Sequence, residues 1–430
     1  MNPWKILVSA YACRPQEGSE PAIGWNLVRE LAKTHQVWVL TRENNRAAIA
    51  DELAKAPVDN LHVIHCDLPQ WFQSLNRDQR LVHLHYYFWQ ILAYLKARRL
   101  HQSLKFDIAH HVTYVRYWSP SWMSLLPIPF VWGPVGGGES TPRGFWSDLG
   151  GRRLGYELLR EAIHRCSELD PFLWMTARRS AIAYATTTDT AKCLRRLGAL
   201  KVEVFSQIGL SETELTSLSQ IPEPDYPCLI SIGRLLHWKG FHLGLQAFAQ
   251  AKLPPEVRYW IVGDGPERER LLNLAKALKI ADRVTFWGKL SRHETLEKLA
   301  HSSVLVHPSL HDSGALVCSE AMAAGRPVIC LNHGGPALQV TAETGFKVDA
   351  QTPEQLTSGL ATAMEQLINN KDLWHRMSAA GRQRVRTTFS WPSKSQQFCR
   401  IYTELLDTAS AAVDAVPIGQ SQLMNREVLK

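Results

Sequence analysis

Short apolar runs alternate with longer amphipathic ones along most of the chain. Lys5–Ala10 (KILVSA), His35–Thr41 (HQVWVLT) and Leu61–His65 each have the length and β-branched content of a buried strand. The run Gly24–Lys33 predicts a helix between the first two, entered through a loop rich in Gly, Pro and Glu. Strand, helix, strand at this spacing is the βαβ unit of a parallel sheet with helices on both faces.

The pattern restarts after residue 225. Cys228–Ile232 (CLISI), Arg258–Val262 (RYWIV), Arg283–Trp287, Val304–His307 and Pro327–Leu331 predict strands. Phe241–Lys252, Glu267–Lys279, Glu294–Ala300 and Leu316–Ala324 predict the helices between and after them. The fold class is therefore α/β, with two Rossmann-like doubly wound domains over residues 1–210 and 228–390. Between them, Ser211–Pro227 has the Ser, Thr, Glu and Pro content of a linker. Residues 391–408 predict a helix returning to the first domain, and 409–430 a frayed tail.

Length agrees with this division, because 430 residues exceed one comfortable core. Hydrophobic content of 45% and charged content of 20% exclude a long disordered chain. The net charge of +8 favours anionic partners, or serves solubility alone. Eight cysteines without a Cys-x-x-Cys pair fit buried free thiols in a reducing cytoplasm. The N-terminus lacks a signal-peptide pattern. The apolar run Leu81–Leu95 is broken by His83, His85 and Gln90 and is shorter than the ~20 residues of a spanning helix. No transmembrane segment is expected. Residues 68–180 are dense in aromatic and basic side chains, among them Trp71, Phe72, Tyr86, Tyr87, Phe88, Trp89, Arg98, Arg99 and Arg160. Two readings stand: an aromatic core under a solvated basic face, or a surface that lies on an anionic membrane.

In open parallel sheets ligands bind beyond the carboxyl ends of the strands, so the loops there carry the chemistry. Gly233-Arg234 and Lys239-Gly240 bracket one such loop. Two cations five residues apart can grip one diphosphate, or they are a turn with solvated charges. Gly263-Asp264-Gly265-Pro266 and Gly334-Gly335-Pro336 read as tight turns, and Gly288-Lys289-Leu290 as a loop able to offer backbone groups to a base. Asp312 precedes the small-residue loop Ser313-Gly314-Ala315-Leu316 at a helix start, and Glu320 lies on that helix. A helix start suits an anion and carboxylates accept sugar hydroxyls, but Asp312 also reads as a cap and Glu320 as half of a buried ion pair.

The ordered set GR-x4-KG, VGDGP, a Gly loop after VTF, HPS, an acidic residue with Glu eight positions on, EAMAAGRPVI and GGP resembles the GT-B fold, family 4 retaining glycosyltransferases, over about Cys228–Gly345. The resemblance implies that Arg234 and Lys239 bind the donor diphosphate, that Asp312 contacts donor-sugar hydroxyls and that Glu320 holds the ribose. It implies phosphate contacts from Ser313, Gly314, Ala315 and Leu316, and nucleotide contacts from Gly233, Gly288 and Leu290. Asp312 stands where the family has Glu, and Ser313-Gly314 where it has Gly-Phe. In the first half, Gly18 sits where such enzymes carry an acceptor-side glycine loop, and His110 or His111, with His111 preferred, where they carry a histidine near the donor sugar. Gly136-Gly137-Gly138-Glu139 is a second glycine loop, with Glu139 in place of a Walker lysine.

The implied chemistry is sugar transfer with retention from a UDP- or GDP-linked donor to a saccharide or lipid-linked acceptor, at the cytoplasmic face of a bacterial membrane. No metal and no cofactor are expected, because protein cations replace a metal and the nucleotide-sugar is a substrate. No nucleic-acid partner is expected, since no RNA module is present. The rival readings are a nucleotide-sugar epimerase on the same fold and a nucleotide-binding protein without catalysis.

Overall fold

The computed structural model describes residues 3–15, 17–18, 20–69, 82–224 and 226–414, with the backbone alone for 409–414. Trp71 and Phe72 of the aromatic stretch, Ser19, and residues 415–430 of the expected tail lie outside the described residues.

Two parallel sheets organise the chain. The first contains β1 (Lys5–Ala10), β2 (Gln36–Thr41), β3 (Leu61–His65), β4 (Ile108–Thr113), β5 (Phe130–Val135), β6 (Ile182–Ala185) and β7 (Val202–Val204). Their order is β3-β2-β1-β4-β5-β6-β7. The second contains β8 (Cys228–Ile232), β9 (Arg258–Val262), β10 (Val284–Gly288), β11 (Val304–His307), β12 (Val328–Leu331) and β13 (Gly345–Val348), in the order β10-β9-β8-β11-β12-β13. Strands β1, β4, β5, β6 and β11 are wholly or almost wholly buried, and most of their side chains are apolar; β4 also carries His110, His111 and Thr113 into the interior. Strand order reverses at β1/β4 in one sheet and β8/β11 in the other. Those are the two switch points where loops diverge and a crevice opens.

Each sheet has an apolar cluster on both faces. Two segments cross between the domains. The helix Trp391–Asp414 sends Trp391, Phe398 and Tyr402 into a core of the first domain. In the other direction, the turn Arg143–Asp148 inserts Phe145, 1% exposed, into the core of the second. Burying a phenylalanine is worth roughly 1.5–3 kcal/mol, so this is an anchor and not a passing contact.

Three local expectations change. Ser211–Pro227 contains the helix Glu212–Ser219: Ser211 and Glu214 form a capping box, and Leu215 and Leu218 are buried. Gly334–Gln339 is a short helix and not a bare turn. The last helix runs to Asp414, into the segment expected to fray. In the aromatic stretch, Tyr86 and Trp89 are core, whereas Leu84 and Phe88 on the same helix, Val82–Leu104, are 47% and 41% exposed. All eight cysteines are free thiols, and Cys166 is exposed.

Candidate active site between the domains

The loops leaving the carboxyl ends of the two sheets meet. The segment Ser313–Leu316, which leads from β11 into the helix Leu316–Ala323, has a cavity on each side. One of about 520 Å³ is lined by Arg116, Trp118, Glu139, Arg160, Lys239 and Asp312, among others. The other, of about 250 Å³, brings Gly18 and Trp25 of the first domain against Arg292 and Leu316 of the second.

Asp312 and Lys239 are not presented independently. Lys239 Nζ donates a short hydrogen bond to Asp312 Oδ2, and His307 Nε2 lies 3.2 Å from the same oxygen. Burial alone would raise the Asp312 carboxyl, but Lys239 and His307 together hold it well below the ordinary carboxylate range. His307 is pushed the other way by burial, with Asp312 opposing. Asp312 is thus a fixed anion with one cation that can exchange partners.

The helix Gly334–Gln339 packs directly on this loop. Gly335 N donates to Asp312 O at 2.6 Å, and a Cβ on Gly335 would stand 2.4 Å from Ser313 O. Gln339 donates to Gly314 O, and Ser319 Oγ donates to its Oε1 at 2.7 Å. Ala315 takes φ 57°, a left-handed conformation uncommon for a residue with Cβ, immediately before the helix. Of the first-turn amides beyond it, Cys318 N donates to Ala315 O at 3.0 Å, while those of Leu316 and Val317 have no carbonyl of their own helix to bond.

Glu320 is 6% exposed, and its Oε1 is 2.6 Å from Arg292 Nη1. Arg292 Nη2 also binds Glu214, at 2.6 Å. Burial raises the Glu320 carboxyl, and Arg292 opposes it. Arg234 is exposed and makes no side-chain hydrogen bond or ion pair among the described residues. Its loop is pinned by Leu235 N donating to Asp264 O (2.9 Å) and Glu267 N to Leu235 O (3.1 Å). Gly263 approaches so closely that a Cβ there would fall 1.9 Å from Gly233 O. The VGDGP turn therefore buttresses the GR loop. Gly288 accepts from Gly263 N at 2.8 Å, and Leu290 packs on the apolar cluster beneath. Neither they nor Gly233 line the two cavities.

The histidine expectation is corrected. His111 does not face the cleft: it is fully buried, with Tyr86 Oη and Gln90 Nε2 each 3.1 Å from Nε2. His110 is enclosed between Tyr402 Oη and Gly133 O, each at 2.6 Å. Burial lowers the two rings to about 4 (His110) and about 3 (His111). Both lie inside β4, where side chains meet neighbouring strands and helices.

Several cleft residues carry little signal of their own in the sequence. Glu139 is 2% exposed; its Oε1 accepts from Thr187 (2.5 Å) and Thr190 (2.9 Å), and its Oε2 accepts from Ser313 Oγ across the cleft (2.5 Å). Ser313 Oγ also accepts from Gly137 N at 3.2 Å. Ser313, one of the departures noted above, is thus the partner of Glu139 in the second glycine loop. The helix Gly150–Ser167 crosses to the second domain, with Glu157 Oε1 at 3.1 Å from His237 Nε2 and Arg153 bonded to Glu267 at 2.9 Å. Trp238 is stacked between Tyr156 (5.6 Å, 7°) and His311 (5.3 Å, 17°). Among the described residues no group of three or more His, Cys, Asp or Glu is placed to hold a metal ion, and no helix is long and apolar enough to cross a membrane.

Residues 216–384 match the model of glycosyl transferases group 1. The lipopolysaccharide core biosynthesis glycosyltransferase LpsE of Rhizobium meliloti (strain 1021) is 34% identical over 167 residues, 39% of this chain and 46% of that protein. The chain spans about half the length of the curated relatives it matches. Whole-chain likeness comes from solved structures. Sucrose-phosphate synthase from Thermosynechococcus elongatus superimposes with a TM-score of 0.59 at 18% identity, covering 94% of this chain and 100% of that one. HepE of Anabaena in complex with UDP and glucose gives 0.54 at 18% identity with the same coverage. These likenesses establish the GT-B fold.

Proposed function

We propose that this chain is a retaining, metal-independent glycosyltransferase. It moves a sugar from a UDP- or GDP-linked donor to a saccharide or lipid-linked acceptor in bacterial surface polysaccharide or glycolipid synthesis. The observation that carries this reading is the convergence, at the switch points of two facing sheets, of Lys239 and Asp312 on one cavity, with the loop that follows Asp312 leading into a helix start at Leu316. The match of residues 216–384 to glycosyl transferases group 1, and the core-biosynthesis glycosyltransferase among its relatives, support it. The UDP and glucose held by HepE support the donor class.

In this reading the donor diphosphate enters beside the helix start. Lys239 exchanges one Asp312 oxygen for phosphate oxygens, while His307 continues to hold Asp312. Arg234, without a side-chain partner among the described residues, folds over the diphosphate. The bond from the anomeric carbon to the diphosphate breaks and the acceptor oxygen bonds that carbon on the same face. The acceptor's proton passes to the departing phosphate oxygen. Preorganised cations stabilise the charge that develops on the leaving group, commonly the largest catalytic contribution. Glu320 takes the ribose hydroxyls once Arg292 yields it.

The acceptor side is the first domain. Exposed Leu159 (60%) and Ile163 (55%) form the apolar rim of the larger cavity, and exposed Leu84 and Phe88 lie on a neighbouring helix. With Arg98 and Arg99 on that helix, this is a surface for the inner face of an anionic membrane carrying a lipid-linked acceptor. Cosedimentation with anionic vesicles tests it; no binding at low salt would refute the membrane part.

The central test is transfer with Arg234→Ala and Lys239→Ala. Each is expected to lower kcat by orders of magnitude in a folded protein, and near-normal transfer by the double variant would sink the diphosphate role. EDTA is expected to leave activity intact; loss restored by manganese would overturn metal independence. Product NMR of the anomeric proton decides retention.

A further inference from the structure

A third cavity, of about 340 Å³, opens in the first domain beside the cleft. The loop Gly137–Ser140 and His164 separate the two: Gly137 and Glu139 face the larger cavity, Gly138 and Ser140 this one, and His164 lines both. The mechanism above makes no use of it.

Its wall is built from cations. Arg143, Arg165, Lys192 and Arg196 line it, against Glu161, Glu168 and Asp189. Two of the cations are already neutralised within the wall, Lys192 by Asp189 at 2.8 Å and Arg196 by Glu168 at 2.7 Å. Arg143 and Arg165 have no carboxylate partner among the described residues. Arg143 lies over the ring of Trp146, 5.8 Å from its centroid. Thr141, 2% exposed, also lines the cavity, and its Oγ1 is buried without a hydrogen-bond partner. A buried hydroxyl left unpaired is costly unless something supplies the missing bond.

The cavity is tied to the donor side. Ser140 O and Asp189 Oδ2 lie 3.2 Å and 3.6 Å from the two ring nitrogens of His333, the residue before Gly334 and Gly335, which pack on Asp312. At its inner wall His164 stacks on Trp118 (4.0 Å, 23°), which also lines the larger cavity. Burial lowers His164 to about 4, with Arg160 and Arg116 adding to the effect, so it presents a neutral ring at neutral pH.

We propose that this cavity is an anion subsite for the acceptor: Arg143 and Arg165 take a phosphate or carboxylate carried by the saccharide that receives the sugar, with Thr141 Oγ1 as an added donor and Glu161 accepting a sugar hydroxyl. The acceptor then extends past His164 and Trp118 toward the reacting centre. Guanidinium is the side chain best matched to either anion, because its fork of N–H groups pairs with two oxygens. The proposal rests on the glycosyltransferase reading for the word acceptor, but the binding itself does not.

The experiment is calorimetric titration of the full chain with glucose 6-phosphate, glucuronate, glucose and inorganic phosphate, and separately with UDP. The wild type is expected to bind the two anionic sugars at least about tenfold more tightly than glucose, since each charge-assisted bond is worth a factor of that order. Arg143→Ala/Arg165→Ala should abolish that preference and leave UDP affinity unchanged; Thr141→Val should weaken glucose 6-phosphate without touching UDP. Equal binding of glucose and glucose 6-phosphate, or a preference that survives in the double variant, would overturn the subsite. Inorganic phosphate binding as tightly as glucose 6-phosphate would overturn its saccharide half. Failure of the wild type to bind UDP counts against the glycosyltransferase reading, while the anionic-sugar preference is scored independently.

Discussion

Ser313→Ala removes a single oxygen, and that oxygen carries the hydroxyl bond across the cleft to Glu139. Ser313 Oγ donates to Glu139 Oε2 at 2.5 Å and accepts from Gly137 N at 3.2 Å. Hydrogen bonds to charged groups contribute about 1.5–3 kcal/mol, and the carboxylate is only 2% exposed to solvent. Its other oxygen keeps Thr187 and Thr190, so the loss falls on the interdomain contact. At about 1.4 kcal/mol per factor of ten, the equilibrium between docked and undocked loops should shift roughly ten- to a hundredfold toward undocked. The assay is a double-mutant cycle of Ser313→Ala with Glu139→Ala. It is read as the interdomain distance distribution from paired spin labels, with thermal melting as a check on folding. The cost of leaving Thr187 and Thr190 without their acceptor appears in both arms of the cycle and cancels. A coupling energy of about 1.5 kcal/mol or more is expected. Additive effects, or an unchanged distance distribution in Ser313→Ala, would refute the reasoning.

Other outcomes follow from the same geometry. Lys239→Met should lower the melting temperature because Asp312 loses its cation; adding Asp312→Asn should restore stability but not transfer, which separates the structural from the chemical part of the pair. Gly335→Ala should weaken UDP binding at least about tenfold with the fold retained, since its Cβ would meet Ser313 O at 2.4 Å and displace the loop; unaltered affinity would show the loop to be pliable. Between pH ~6.5 and ~4 the unfolded chain protonates its histidines while His110 and His111, lowered by burial to about 4 and about 3, stay neutral, so stability falls as pH falls through that window. His111→Gln should flatten the urea-melt stability profile there, and an unchanged slope would count against the buried neutral ring.

Much of the architecture was legible without coordinates, because strands that are buried on both faces must be apolar runs and the helices between them must be amphipathic. Cys228–Ile232, Arg258–Val262 and Val304–His307 could be bounded to the residue for that reason. The helix Glu212–Ser219 was hidden by its polar composition, although its capping box, Ser211 with Glu214, stood in the sequence as a local signal. Its two buried leucines, Leu215 and Leu218, pack on partners distant in the chain.

What the sequence alone determined is the set of chemical groups: the cations Arg234 and Lys239, the acids Asp312 and Glu320, and the small residues that let loops approach. Only the tertiary structure decided how they pair. Lys239 lies against Asp312 and Glu320 against Arg292, while Ser313 is bound to Glu139, 174 residues away. It also enclosed His111 beneath Tyr86 and Gln90, where the family resemblance had implied a histidine near the donor sugar. The physical reason is range. Periodicity and capping act over a few residues and leave their mark in the local sequence. The partner of a buried charge is set by desolvation and Coulomb attraction between segments that meet only after both sheets have formed.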